Sequence, residues 1–229
     1  MLRLDQVRAG IDQHLVLRNV SFAIMPSRTT VLIGRNGAGK TTTLRSIMGL
    51  FTLDGGRILL DDLDLASVAS HNRARQGIGY APEDRRLIAE FSVEDNLLLP
   101  AFALRLPTAE CKRRLDEVYA LLPELVTLRS RPGGVISGGQ GKMVALGRAL
   151  IVSTRYILLD EPFQGLAPAL ALSYVDALSK LRQTRPDLGM LITESTPKLL
   201  DKIVDVSLSI ERGEVASSSQ PDIVALPSH

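Results

Sequence analysis

Nine consecutive residues, Gly34, Arg35, Asn36, Gly37, Ala38, Gly39, Lys40, Thr41 and Thr42, have the types and spacing to hold a string of phosphates. They follow the apolar run Val31, Leu32 and Ile33 and open onto a helix-like stretch, so the segment reads as strand, loop, helix with the spacing G-x-x-x-x-G-K-[ST]. Gly34, Gly37 and Gly39 open backbone angles closed to other residues and let amide N–H groups approach phosphate oxygens directly. Lys40 adds a point charge for β- and γ-phosphates, and Thr41 adds a hydroxyl for Mg²⁺. The positive end of the helix dipole faces the same charge. A glycine-rich turn between a strand and a helix is the plain alternative. It does not call for a lysine and a hydroxyl at those two places.

Two further stretches carry chemistry. Ser137, Gly138, Gly139 and Gln140 precede a helix-like run over 141–150, where N–H groups, dipole and hydroxyl would converge on an anion. Taken alone, S-G-G-Q is equally the start of a capped helix. The run 156–159 has the pattern of a buried strand and ends in Asp160 and Glu161. Two acids ending an apolar strand need a cation. Beside a phosphate loop that cation is Mg²⁺, with Asp160 holding it directly or through water and Glu161 polarising an attacking water. A solvated acidic turn is the alternative, and the phosphate loop upstream argues against it.

The elements that must position these groups follow from periodicity. Apolar runs at 15–17, 20–24 and 31–33 predict an antiparallel strand group leading into the phosphate-loop strand. Residues 54–56 read as a turn, 57–60 as a strand, and 77–81 as a short strand stopped by Pro82. From about 90 to 150 the pattern is helical. Ser92 is an N-cap with Asp95 three positions on, and three leucines follow before Pro100. Thr108 caps a second helix in which Cys111, Leu115, Val118, Tyr119 and Leu122 share a face. That stripe fits an ordinary buried face better than a docking surface. Residues 189–194 read as the last core strand.

Composition removes several classes. The chain has 229 residues, 45% hydrophobic and 23% charged, with a formal net charge of +2. There is no block of Lys and Arg and no basic run laced with aromatics, so nucleic acid is not an expected partner. No apolar run approaches the ~20 residues that cross a bilayer. Charge at Arg3 and Asp5 and the lack of an apolar stretch there argue against a signal peptide. Cys111 is alone, so no internal disulfide forms, which fits a reducing compartment.

The order GRNGAGKTT, SGGQ, YILLDEP resembles the ATP-binding-cassette ATPases along nearly the whole chain. The stretches ISGGQGKMVALGRAL, EPFQGLAPAL and APEDRR are most similar to the ATPase subunits of branched-chain amino-acid uptake systems. The resemblance implies an α/β P-loop NTPase with a RecA-like core, an N-terminal antiparallel β subdomain and an inserted helical subdomain. As one domain over 1–229, the core would take 1–83 and 151–229, and the helical part about 84–150 with the Ser137 stretch. It further implies ATP and Mg²⁺, the latter on Thr41, Asp160 and Glu83. It implies a second cassette subunit, identical or not, arranged head to tail so that the Ser137 stretch of one protomer closes over ATP held by the other's Lys40. Transmembrane permease subunits and a peripheral place on the cytoplasmic face of the inner membrane complete the expectation.

Several positions depart from the family pattern. The adenine-stacking aromatic falls at Ile11, with His14 a nearby substitute, and the usual Gln of the inter-subdomain loop is Glu83. Phe163 stands where Ser follows the Glu-Pro pair, which unsettles the cross-dimer contact over 163–167. Ser195 occupies the switch position where His or Gln is usual. A hydroxyl that short is expected to fall shy of the γ-phosphate, a loss worth ~10²–10³ in rate. The sequence therefore predicts an importer ATPase for branched-chain or related amino acids, with slow hydrolysis at this chain's own site. The rival readings are a low-turnover regulatory cassette, an importer of another small solute such as urea, a cassette acting on nucleic acid or ribosomes, and a P-loop kinase or GTPase. Missing basic insertions and a second cassette disfavour the third of these, and a missing N-K-x-D the last.

Overall fold

The computed structural model describes residues 1–11 and 14–217. In chain order it runs β1 (Leu2–Ile11), β2 (His14–Ile24), β3 (Thr29–Ile33), α1 (Lys40–Ile47), β4 (Gly55–Leu60), β5 (Leu63–Asp64) and β6 (Ile78–Ala81). It continues through α2 (Val93–Ala103), α3 (Thr108–Leu121), α4 (Gly138–Val152), β7 (Tyr156–Asp160), α5 (Pro168–Thr184), β8 (Gly189–Glu194), β9 (Val206–Glu211) and β10 (Glu214–Ser217).

Alternation of side chains along the central strands decides the layers. Val31, Ile157, Leu159, Met190 and Ile192 point to one face, where they join buried residues of α2 to α5 in a single apolar cluster. Leu32, Leu158, Leu191, Leu208 and Ile210 point to the other face, against Leu44 and Ile47 of α1 and the apolar side of β1, β2 and β4. Strands covered on both faces carry apolar runs, and 156–160 and 189–194 are buried at every position, their polar residues Asp160, Thr193 and Glu194 standing at the carboxyl ends. Their sheet has the order β10-β9-β3-β8-β7-β6, parallel except for β10, and a second, antiparallel sheet has the order β2-β1-β4-β5. The carboxyl ends of β3, β8 and β7 therefore lie side by side, the crevice where open α/β sheets bind ligands.

Local expectations need five adjustments. The 15–17 and 20–24 runs form one continuous strand, β2, because its exposed positions face solvent across an antiparallel pair. The turn assigned to 54–56 gives way to β4, which begins at Gly55. The strand over 189–194 is not the last, since β9 follows and pairs with β3 on the side away from β8. Helix α2 runs through Pro100 to Ala103; the proline forfeits its own N–H bond, yet Leu104 N–H still reaches Pro100 O at 3.0 Å. Ser92 does accept the Asp95 N–H, and the stripe on α3 is a buried face. The residue before Thr108, Pro107, occupies the N-cap of α3.

The phosphate-loop helix is fixed at its far end by Arg73. Its buried guanidinium donates to Ser46 O and Ile47 O, the last carbonyls of α1, and to Leu65 O at 2.7 Å and Val68 O at 3.1 Å. This single cation ties α1 to the segment beyond the antiparallel sheet. Arg73→Met is expected to lower the unfolding free energy by about 2–4 kcal/mol, because Ile47 O and Val68 O lose the guanidinium in an apolar surround while Ser46 O and Leu65 O keep only the N–H groups of Gly49 and Val68. Chemical denaturation checks this, and a change within about 0.5 kcal/mol, the range of ordinary surface substitutions, would remove Arg73 from this role.

Candidate active site

The loop after β3 has two glycines that no other residue replaces, for different reasons. Gly39 sits at φ 111°, in the left-handed region, immediately before the first helical residue, Lys40. Gly34 is not in that region. A Cβ there would meet the Ile210 carbonyl at 2.5 Å, so close backbone packing against β9 demands it. Between them the loop turns into α1 with its amide groups gathered at the helix start, and Thr42 is buried behind it.

Lys40 is buried, and its ammonium has four acceptors within reach: Gly34 O, Arg35 O at 3.1 Å, Ser195 Oγ at 3.1 Å and Glu161 Oε1 at 2.9 Å. Three N–H donors face four acceptors, so the ammonium is saturated. Glu161 follows β7 at φ 45°, an uncommon conformation for a side-chain-bearing residue. It is held there by its N–H, which donates to Thr193 O at 3.2 Å and Thr193 Oγ1 at 3.1 Å. Its carboxylate accepts from Lys40, from the Ser195 hydroxyl at 2.9 Å and from the Ser195 N–H at 3.3 Å.

Asp160 closes the other side. Oδ1 accepts from Thr41 Oγ1 at 3.1 Å and Thr193 Oγ1 at 2.9 Å, and Oδ2 from the Tyr80 hydroxyl at 3.1 Å. Burial raises its carboxyl above the usual range, with the three hydroxyls pulling the other way. The same burial, together with the Asp160 charge, raises the Tyr80 phenol. A desolvated carboxylate next to a threonine hydroxyl is an all-oxygen pair of the kind Mg²⁺ takes alongside substrate phosphates. The pair fits that ion. Glu83 is not among the partners of Asp160; it is exposed on the loop after β6, with its charge toward Lys142.

The structure thus brings Lys40, Thr41, Asn36, Asp160, Glu161 and Ser195 together at the ends of three adjacent strands. Ser195 comes closer than its length suggests: the end of β8 delivers its hydroxyl to Lys40, Glu161 and, at 3.1 Å, Asn36 Oδ1. Ser137 and Gln140 lie elsewhere in this scheme, as a capping box at the start of α4. Ser137 Oγ accepts the Gln140 N–H at 3.2 Å, and Gln140 Oε1 accepts the Ser137 N–H at 2.9 Å. Ile11 ends β1, partly exposed and paired across the strands with His14. Phe163 turns inward, its ring edge-on to Tyr174 at 5.4 Å between centroids.

Two charged residues escaped the sequence reading. Glu194, the last residue of β8, is buried, accepts the Phe163 N–H at 3.0 Å and has its carboxyl pushed up to about 7, first by burial and then by the charge of Glu161. Its signal was legible: an acid ends an apolar strand there, as at 160–161. Lys142 of α4 reaches across to donate to Glu161 O, and burial lowers its pKa against the pull of Glu194, Glu83 and Glu161. Nothing in a helical repeat announces that reach.

Against known proteins, the ABC transporter family signature matches residues 17–164. The chain is 32% identical over 216 residues to a probable branched-chain amino acid transport ATP-binding protein, LivF, of Archaeoglobus fulgidus, covering 94% of this chain and 90% of that one. It is 34% identical over 221 residues to the lipopolysaccharide export system ATP-binding protein LptB of Acidithiobacillus ferridurans, covering 96% and 90%. Among solved structures, the ATP-binding subunit of an ABC transporter superposes with a TM-score of 0.82 at 26% identity, covering 95% of this chain and 90% of that one.

The Glu194 carboxyl makes stability depend on pH. An unfolded glutamate titrates near 4.5 and the folded one near 7, so the folded state binds the proton more tightly. Stability is greatest below about pH 4.5 from this group alone, falls as pH rises through about 7, and is flat above. Glu194→Gln keeps an acceptor for Phe163 and cannot titrate. It should therefore gain on the native protein above pH 7 by roughly 3 kcal/mol. Denaturation curves with the same pH slope for both proteins would contradict this.

Proposed function

We propose that this chain, which belongs to the ABC transporter family and so hydrolyses ATP to power transport, is the ATPase subunit of an importer for branched-chain or related amino acids. Subunits of this family dimerise and work with transmembrane permease partners. Among the described residues no helix is long and apolar enough to cross a membrane. In this reading the chain sits on the cytoplasmic face of the inner membrane through its permease partners.

The observation that carries the hydrolytic reading is the convergence of Lys40, Thr41, Asp160 and Glu161 at the carboxyl ends of β3 and β7, two strands on either side of β8. As ATP enters, the amides of residues 34–39 take its phosphate oxygens, and Lys40 exchanges Glu161 for the β- and γ-phosphates. Thr41 and Asp160 would hold Mg²⁺, which supplies charge neutralisation on the phosphates. Glu161, released from the ammonium and kept in place by Thr193, accepts a proton from the attacking water. Ser195, just after β8, hydrogen-bonds to Glu161, and Glu83 on the loop after β6 would have to swing in from its exposed place to sense this water. Ile11, at the exposed end of β1, would offer the base apolar contact in place of stacking.

The anion-binding end of α4 acts on a second subunit. With Ser137 and Gln140 satisfying each other, the remaining first-turn amides are left for a γ-phosphate held by a partner's Lys40 stretch, and no acid in the first turn opposes it. The amino-acid substrate rests on motif similarity and on the LivF relative. The LptB relative makes lipid export the competing outcome of the transport test.

Glu161→Gln should retain ATP binding while ATPase turnover in the assembled complex falls by about 10²–10⁴-fold, whereas Lys40→Ala should lose binding itself. Turnover unchanged in Glu161→Gln would place hydrolysis on the partner cassette. Cells lacking this chain should lose uptake of labelled leucine and recover it on complementation. Uptake left intact would reject the importer assignment.

A further inference from the structure

The Ser195 hydroxyl lies between the ammonium assigned to the γ-phosphate and the carboxylate assigned as general base. It is exposed, lies 2.9 Å from the carboxylate assigned as general base, and touches the ammonium assigned to the γ-phosphate at 3.1 Å. A hydroxyl in hydrogen-bond reach of its base, with the base oriented by a third group, is the arrangement of an activated nucleophile. The third group here is Thr193, which holds the Glu161 N–H at 3.1 Å through its Oγ1 and stays in place when Lys40 turns to the phosphates. The hydroxyl has one proton and two acceptors, Asn36 Oδ1 at 3.1 Å and Glu161 Oε1. The carboxylate is the stronger of the two.

We propose that Ser195 is a phosphoryl acceptor, so that the site transfers the γ-phosphoryl of ATP to its own chain in competition with water. This rests on the reading of the site as an ATPase. The Ser195 Oγ–phosphorus bond forms as the bond from the γ-phosphorus to the β,γ-bridging oxygen breaks. ADP leaves with that electron pair, and the hydroxyl proton passes to Glu161. The product is a phosphoserine whose oxygens pair with Lys40 and repel Glu161, occupying the seat of the next γ-phosphate. Each transfer therefore silences the site that made it. A longer side chain at this position, such as His, could contact the γ-phosphate but would present no hydroxyl to it.

The test is incubation of the purified full chain, and of its complex with partner cassette and permease, with Mg²⁺ and γ-labelled ATP. Released phosphate and protein-bound label are counted in the same sample, and the label is mapped by peptide mass spectrometry. The proposal expects label on Ser195, rising toward one per chain while phosphate release slows. Glu161→Gln should lower labelling on the order of a hundredfold, and Ser195→Ala should abolish it. Phosphate release with no label on the chain overturns the proposal and leaves the ATPase reading standing. Label on another residue also overturns it. ADP, phosphate and label all absent overturn both readings. Mapping on the native chain keeps the result decisive should a variant fail to fold.

Discussion

The ion pair between Lys40 and Glu161 is the interaction on which the site depends. Both groups are buried, and an ammonium taken out of water is tolerable only with a full set of acceptors. The chain supplies them from three strand ends: Gly34 and Arg35 carbonyls after β3, Glu161 after β7 and Ser195 after β8. Removing one partner from such a pair costs about 3–5 kcal/mol. A nucleotide phosphate can claim Lys40 because it brings anionic oxygens to replace those given up. In the proposed mechanism the same exchange frees the carboxylate assigned as base, so that binding and activation of that group are one event.

That exchange is wired to the rest of the molecule through α4. Lys142 donates to the backbone of Glu161, and Arg148 donates to the carbonyls of Arg85 and Arg86, two residues at positive φ on the loop that carries Glu83. One helix thus grips the loop of the catalytic base and the loop between β6 and α2, while its N-terminal end carries the Ser137 box. In the proposed mechanism, movement of Glu161 as Lys40 departs passes through Lys142 to the helix whose N-terminal end is assigned to the second subunit. The arrangement gives coupling a physical route made of hydrogen bonds rather than of proximity.

Much of this was legible beforehand because it follows from spacing. The phosphate loop, the strand ending in Asp160 and Glu161 and the Ser92 cap are local patterns, and each forms where periodicity puts it. What spacing does not encode is which strand lies beside which. The sheet order brings Glu194 next to Glu161 and Ser195 onto Lys40, and neither neighbour can be read from residues far apart in the chain. The reach of Lys142 is hidden for the same reason, since its partner belongs to the loop after β7. Pro100 misled in the opposite direction: packing of Leu97 and Ala101 in the core outweighs the hydrogen bond the proline gives up.

A crystal structure of the native chain with Mg²⁺ and a non-hydrolysable ATP analogue tests the central claim most directly. The account predicts that Lys40 Nζ leaves Glu161 for the β- and γ-phosphate oxygens, with Thr41 and Asp160 flanking the metal and the Glu161 carboxylate turned free beside the γ-phosphate. A nucleotide seated while Lys40 remains paired with Glu161 would contradict it, because the exchange that links binding to catalysis would not occur.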